Sequence, residues 1–144
     1  YDVPANTFVA TFMGAPPMNL IEGEIVTDNG TTSFVRDGYS LAIDPTVMGI
    51  DGLRLSGASG TAHLGIRPEH ISLGSPDADG IPGRVHFLEP VGSDLFVSVD
   101  VGARPVQVRM PPRTNVRTGE NVRITFDPAI SHIFGSDSQN LRTA

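Results

Sequence analysis

The residues best placed for chemistry are Arg67 and Glu69, which flank Pro68 in the segment LGIRPEH at 64–70. Pro68 fixes its own φ and pushes Arg67 towards an extended conformation. The pattern therefore predicts a strand over residues 62–66 that ends in a fixed turn. A guanidinium can hold a carboxylate through two parallel hydrogen bonds, so we interpret Arg67 and Glu69 as a clamp on this turn rather than as catalytic groups.

The other polar residues do not form a pattern that catalysis or metal binding requires. The histidines His63, His70, His86 and His132 lie far apart, without the short spacing of a metal site. We interpret them as ordinary strand or rim residues. No serine or threonine lies in a nucleophile-elbow sequence, and no pair of carboxylates stands out. The sequence predicts no catalytic, cofactor-binding or metal-ligating residue, and therefore no enzyme activity in this chain.

Two loops have a superficial likeness to ligand-binding loops. The glycine-rich stretch at 57–61 lacks the Gly-Lys-Ser/Thr ending of a phosphate loop, and the chain contains no lysine to reach a phosphate. The acidic loop at 76–80 has two carboxylates but no glutamate at the closing position of a calcium loop. We interpret both as surface turns.

Composition limits the class of protein. A chain of 144 residues forms one domain, or one compact domain with a small appendage. Its ten basic residues are all arginines, which are scattered and outnumbered by acids, so nucleic acid is an unfavourable partner. No apolar run approaches the length of a membrane span, and the absence of cysteine fits a cytosolic protein. The start carries no signal peptide and no initiator methionine, so we expect a piece of a longer protein.

The distribution of turn residues favours an all-β fold. Sixteen glycines and twelve prolines separate short runs rich in Val, Ile, Phe and Thr. Asp37-Gly38 predicts a hairpin between strands at 33–36 and 39–43, followed by a loop over 46–60. Further strands are predicted at 84–89 (ended by Pro90), 95–101, 106–110, 121–127 and 131–134. A five-stranded Greek-key barrel of OB type with additional strands accommodates this pattern.

The two ends of the chain differ from this β pattern. Residues 6–13 predict a short N-terminal helix, because Asn6 is a good N-cap and Gly14 is placed to end it. Phe8 and Phe12 stand on one face of this helix, and a helix so short is not stable unless that face docks. Residues 135–144 predict a polar tail.

Four blocks of sequence resemble a known family: YDVPANTFVA at 1–10, FMGAPPMN at 12–19, LGIRPEH at 64–70, and Leu88-Glu89 with Gly92-Ser93-Asp94. They are similar, in order, to the C-terminal regulatory (TOBE) domain of ATPase subunits of bacterial carbohydrate-type ABC importers. The glycerol phosphate importer ATPases look most similar, and the maltose-type ATPases are slightly further away. The loops at 28–60 differ most from the family pattern.

This resemblance implies an OB-type (TOBE) barrel with one short N-terminal helix. Residues 1–17 would be a helical junction from a missing ATPase domain, 18–136 the regulatory domain, and 137–144 a polar tail. The function implied is regulation and dimerisation of the ATP-binding subunit of an importer for glycerol phosphate, glycerophosphodiesters or sugars. ATP and Mg²⁺ would bind the missing domain, at the cytoplasmic face of the inner membrane, so this fragment needs no cofactor.

The partners implied are a second copy of the ATPase subunit, the membrane subunits through the missing domain, and an inhibitory protein or metabolite. We expect the face of Phe8 and Phe12 to dock on the missing domain. The turn of Arg67 and Glu69 and the region from Glu89 to Asp94 are expected at the dimer or regulator surface. The simpler alternative is that these charged residues only hold turns.

Two other functions remain open at this point. One is a stand-alone small-oxyanion-binding module of molybdate-binding type, in which backbone amides at turns and Arg67 would hold the anion. The other is an OB-fold nucleic-acid binder, which the acidic balance and the few aromatic residues disfavour.

Overall fold

The computed structural model of the chain describes residues 4–6, 17–50, 52, 55, 59–102, 104–137 and 139–141. These residues divide into two compact units. The terminal unit comprises Tyr1–Ile66 with Asp127–Ala144, and the inserted unit comprises Arg67–Phe126. Each unit is built around one five-stranded antiparallel sheet, which confirms the predicted all-β class.

The described elements follow one another along the chain as strands with few helical turns. They are β1 (Asn19–Asp28), β2 (Thr31–Arg36), β3 (Tyr39–Ala42), the short helix α1 (Pro45–Met48), β4 (Gly60–Ile66), a 3₁₀ turn (Pro68–His70), β5 (Ile71–Gly74), β6 (Ile81–Val91), β7 (Asp94–Val101), β8 (Arg104–Met110), β9 (Asn121–Phe126), a second 3₁₀ turn (Pro128–Ile130) and β10 (His132–Phe134).

The sheet of the terminal unit has the strand order β10-β4-β1-β2-β3. Directly opposed residues share a face of the sheet, and on one face they form the core, as in the pair of Ile25 with Phe34 and the pair of Ile21 with Leu64. The predicted hairpin at 33–43 is confirmed: Arg36 lies opposite Tyr39, and Gly38 has the positive φ of 72° that this turn requires.

The predicted loop at 46–60 is wrong at its start, where α1 forms. Asp44 caps this helix, since its Oδ1 accepts hydrogen bonds from the backbone N–H groups of Thr46 (3.0 Å) and Val47 (3.3 Å). Gly49 ends it with a left-handed φ of 63°. Asp44 and Pro45, which follow the predicted hairpin, begin this helix, and the prediction of a loop did not use that capping pattern.

The sheet of the inserted unit has the order β5-β9-β6-β7-β8. The alternation predicted for 95–101 is confirmed, because Leu95, Val97, Val99 and Val101 are all buried. The predicted end of the strand at Pro90 is wrong: β6 continues to Val91, and Pro90 lies opposite Leu95. The pairing of β9 with β6 covers Ile81–Arg84 and ends before Pro90, so the N–H that Pro90 lacks is not needed there.

The predicted polar tail is not wholly outside the fold. Pro4–Asn6 and residues 139–141 form what we call the terminal clasp. The backbone N–H of Asn140 donates to the Ala5 carbonyl at 2.9 Å, and the N–H of Leu141 donates to the Ile133 carbonyl at 2.8 Å. Asn140 and Leu141 are buried, so polar composition misled the prediction for these residues.

The side chain of Asn140 joins both ends of the chain within this clasp. Its Nδ2 donates to the Pro4 carbonyl at 2.7 Å and lies 3.2 Å from Nδ1 of the buried His132. The N-terminal helix expected over 6–13, with Phe8 and Phe12, lies outside the described residues beyond Asn6 itself.

We expect Asn140→Ala to lower the free energy of unfolding by about 1–3 kcal/mol, because it leaves buried polar groups without the partner they have now. Urea denaturation monitored by circular dichroism would measure this. Gln139→Ala is the matched control, since Gln139 is exposed and its loss should change stability by less than about 0.5 kcal/mol. Equal effects of the two substitutions would contradict the role of the Asn140 amide.

Candidate interaction surface

The segment 64–70 forms the predicted strand and turn. β4 ends at Ile66, Arg67 is extended (φ −67°, ψ 145°), and the 3₁₀ turn Pro68–His70 follows, with the N–H of His70 donating to the Arg67 carbonyl at 2.9 Å. Within the inserted unit this turn packs against β8. The turn is therefore fixed by its own backbone and by its contact with the edge strand.

Arg67 and Glu69 lie in contrasting environments. Arg67 is only 2% exposed, whereas Glu69 is exposed to solvent. The Arg67 guanidinium is therefore inaccessible on the surface of this chain, whereas Glu69 is accessible, and the place of this turn at a partner surface stays a prediction. The clamp between the two side chains stays a prediction.

The hairpin of β6 and β7 positions the second group of candidate residues. Val91 lies opposite Asp94, and Gly92-Ser93 forms a two-residue turn in which Gly92 has a φ of 59°. Asp94 Oδ2 lies 3.2 Å from Nη2 of Arg109 on β8, so Asp94 joins the two strands next to the turn. This ion pair joins β7 to β8, and a role of Asp94 at a partner surface stays a prediction.

Glu89 differs from Asp94 in having no such pair. It is exposed, and it forms no ion pair with any residue that the structure describes. It lies directly opposite Phe96 of β7, which in turn lies opposite Arg109 of β8. Arg109 was not among the residues that sequence reasoning selected.

We call the solvent-facing side of these three strands the β6–β8 face. It is the side on which Glu89, Phe96 and Arg109 stand, opposite to the core side formed by residues such as Val97 and Val108. Two large apolar side chains are exposed on it, Phe87 at 44% and Val91 at 48%, and each lies two residues from Glu89 along β6. Phe87 and Val91 therefore add exposed apolar area beside the Glu89 carboxylate.

Three of the histidines each lie beside a different polar residue. His63 Nε2 lies 3.9 Å from Glu22, His86 Nδ1 lies 3.4 Å from Asp100, and His132 contacts Asn140. Within the described ranges, no three His, Asp or Glu side chains come together as a metal-binding group.

Comparison with known proteins places this surface in a family. The MalK OB fold domain matches residues 14–71, and the TOBE domain matches residues 64–134. Thus the first sheet lies largely in one matched domain, and the β6–β8 face lies wholly in the other.

The similar full-length proteins are ABC transporter subunits. An uncharacterized ABC transporter ATP-binding protein of Sinorhizobium fredii is 39% identical over 93% of this chain and 33% of its own length. The sn-glycerol-3-phosphate import ATP-binding protein UgpC of Yersinia pestis is 33% identical over 96% of this chain and 36% of its own length. The α-glucoside transport ATP-binding protein AglK of Rhizobium meliloti is 33% identical over 99% of this chain and 38% of its own length. The chain therefore spans about a third of the length of the curated relatives it matches.

A solved structure has a similar fold. The cytoplasmic molybdate-binding protein ModG, crystallised with molybdate, matches with a TM-score of 0.58 over 80% of this chain and 94% of that chain. The two sequences are 10% identical, so the likeness is one of fold alone.

The fold and the matched domains define the class, which is the OB-type domain found in ATP-binding proteins of ABC importers. Within that class, the chain belongs to the TOBE family, with a MalK OB fold domain as its first part. No helix of the described residues is long and apolar enough to cross a membrane.

Proposed function

We propose that this chain is the regulatory and dimerisation part of the ATP-binding subunit of an ABC importer for glycerol phosphate, glycerophosphodiesters or sugars. The observation that carries the proposal is the order of the MalK OB fold and TOBE domains in a chain whose relatives are import ATP-binding proteins. Such a part controls transport without catalysing a reaction. It acts by favouring the open or the closed state of the ATPase dimer through contacts that differ between the two states.

The partners follow from this role. A preceding domain would bind ATP and Mg²⁺ and contact the membrane subunits at the cytoplasmic face of the inner membrane. A second copy of the subunit, and in some conditions an inhibitory protein or metabolite, would bind the regulatory part. The exposed Glu69 and Glu89 are our candidates for these contacts, whereas nucleic acid is not an expected partner because the chain has a net charge of −6.

The small-oxyanion alternative has a specific observation in its favour, which is the fold shared with ModG. Two points weigh against it. A fold hosts many functions, and Arg67, the side chain we considered for anion binding, is buried. Titration calorimetry with molybdate, sulfate, phosphate and glycerol phosphate separates the two functions, since the regulatory role does not require molybdate binding.

The experiment that tests the proposal is to determine the natural polypeptide that contains this chain and to assay it. We expect a phosphate-binding loop and an ABC signature motif upstream of Tyr1, and ATPase activity in the complete protein. Glu89→Arg should change dimerisation or inhibition of that protein without abolishing ATP binding. A natural polypeptide without the upstream motifs would overturn the proposal.

A further inference from the structure

His132 lies beside the terminal clasp and is almost entirely buried, with 3% of its surface exposed. It stands on β10 opposite Gly65 of β4, and the centroid of its ring lies 6.5 Å from that of Phe134. Its Nδ1 atom lies 3.2 Å from Nδ2 of Asn140. This buried imidazole is a titratable group that the proposed function does not use.

The bond from Asn140 to Pro4 determines which way the Asn140 amide is turned. A backbone carbonyl only accepts hydrogen bonds, so the amide atom that lies 2.7 Å from the Pro4 carbonyl is the NH₂ group. The same NH₂ group lies 3.2 Å from His132 Nδ1 and cannot accept a hydrogen bond. His132 Nδ1 is therefore the acceptor, and the imidazole is neutral with its proton on Nε2.

A proton on His132 Nδ1 is incompatible with this arrangement. The new N–H would point at the Asn140 NH₂ group, so two donors would meet in a buried site. If the Asn140 amide turned over, its oxygen could accept from His132, but that oxygen would then lie against the Pro4 carbonyl, where two acceptors would meet. In either case one bond of the clasp is lost.

The charged groups on the elements around His132 are bonded to other groups. On β4, His63 Nε2 lies 3.9 Å from Glu22 of β1. Before β10, the Asp127 carboxylate accepts from a backbone N–H at 3.0 Å, and after β10 the Asp137 carboxylate does the same, also at 3.0 Å. Residues 4–6 and 139–141 carry no charged side chain. The immediate surroundings of the imidazole in the clasp are therefore set by the neutral amide of Asn140.

We infer that His132 is a pH-sensitive switch of the terminal clasp, which is closed while the imidazole is neutral and opens when Nδ1 takes up a proton. The closed clasp excludes a proton that the open clasp accepts, so acid favours the open state. A histidine side chain in water takes up its proton at about pH 6.5, so the clasp is closed above that pH and loosens as the pH falls below it. The switch lies in this chain and does not depend on the proposed function.

Hydrogen exchange of the 144-residue chain measures this opening. The N–H groups of Asn140 and Leu141 bond to the carbonyls of Ala5 and Ile133, so they report on the clasp directly. Because exchange itself slows in acid, each rate is compared with that of the same residue in an unfolded peptide at the same pH, which gives a protection factor. We expect these protection factors to fall about 30-fold from about pH 7.5 to about pH 5, as for a group that takes up its proton only in the open state.

His132→Asn is the decisive variant, because its Oδ1 can take the place of Nδ1 and accept from Asn140 but takes up no proton in this range. It should keep the clasp closed and reduce the pH effect to less than about threefold. His63→Asn is the matched control, since it makes the same substitution at a partly exposed histidine of the same sheet, and it should retain the full effect. The amides of β2, inside the same sheet, should show no such fall in any of the three proteins.

Heteronuclear NMR of the imidazole tests the switch without a substitution. At about pH 7.5 we expect the His132 ring to carry its proton on Nε2, and its protonation in acid should accompany the loss of protection. A ring with its proton on Nδ1 at that pH overturns the inference, as does protection of Asn140 and Leu141 that does not change with pH. An equal fall in His132→Asn, or in the β2 amides, also overturns it. The proposed function is tested separately, by the upstream ATPase motifs.

Discussion

Phe34→Ala should lower the free energy of unfolding by about 3–5 kcal/mol, which is among the largest effects expected for any single substitution in this chain. The ring is fully buried in the terminal unit, where it lies opposite Ile25 of β1 and Leu41 of β3. It also lies over Gly23, where a Cβ atom would come within 2.5 Å of Phe34 Cζ. Removing the ring leaves a cavity that three strands border, and a sheet cannot collapse into it without losing its register.

Thermal and urea denaturation of the purified chain would measure the loss. Phe87→Ala removes the same side chain from a position that is 44% exposed, so it should cost less than about 1 kcal/mol in dilute solution. A cost for Phe34→Ala that is no larger than that for Phe87→Ala would show that Phe34 is not part of the core. Both experiments should be done at the same low protein concentration.

The sequence predicted those parts of the fold that depend on short-range chemistry. Asp37-Gly38 requires a tight turn, so the register of β2 and β3 followed from it. The alternation over 95–101 required one buried face, and Pro68 required the turn that ends β4. Each of these predictions needed only neighbouring residues.

The predictions that failed depended on contacts from distant parts of the chain. A proline ends a strand only where its missing N–H is needed, and whether Pro90 has a neighbour on that side is decided by where β9 stops pairing. Asn140 is polar, yet it is buried because the carbonyl of Pro4 satisfies its amide. Neither the end of the β9 pairing nor the bond from Asn140 to the Pro4 carbonyl can be predicted from local composition.

The candidate surface was predicted only in part, and the reason why Arg109 was missed can be identified. Glu89 was selected through the family resemblance, whereas Arg109 was not selected at all. The predicted strands at 84–89, 95–101 and 106–110 left connections between them that are too long, since Val91 lies opposite Asp94 and Val101 opposite Arg104. A turn that is one residue too long shifts the register and moves each side chain to a different neighbour. With the correct turns, Glu89, Phe96 and Arg109 fall in one row by sequence position alone.

Phe134→Ala should lower the free energy of unfolding by about 3–5 kcal/mol and should also open the terminal clasp. The ring is fully buried and packs with Met18 and the partly buried Leu20. Gly65 lies beneath it, where a Cβ atom would come within 2.7 Å of both Phe134 Cε2 and the sulfur of Met18. This small cluster lies apart from the main core of the sheet.

Loss of the Phe134 ring reaches the clasp because Phe134 also pairs with Asn140 in an isolated bridge, and the N–H of Leu141 bonds to the carbonyl of the preceding residue, Ile133. Hydrogen exchange at the Leu141 amide should therefore be faster in Phe134→Ala by at least tenfold, as expected for a local opening whose free energy falls by more than about 1.4 kcal/mol. Ile130→Ala is the matched control, since Ile130 is 40% exposed and lies just before β10. If Ile130→Ala accelerates Leu141 exchange as much, the cluster does not hold the clasp. If the clasp opens only in Phe134→Ala, then β10, Met18 and Leu20 fix the position of residues 4–6 in the terminal unit. Under the proposed function, the ATP-binding domain is attached on the side of residues 4–6.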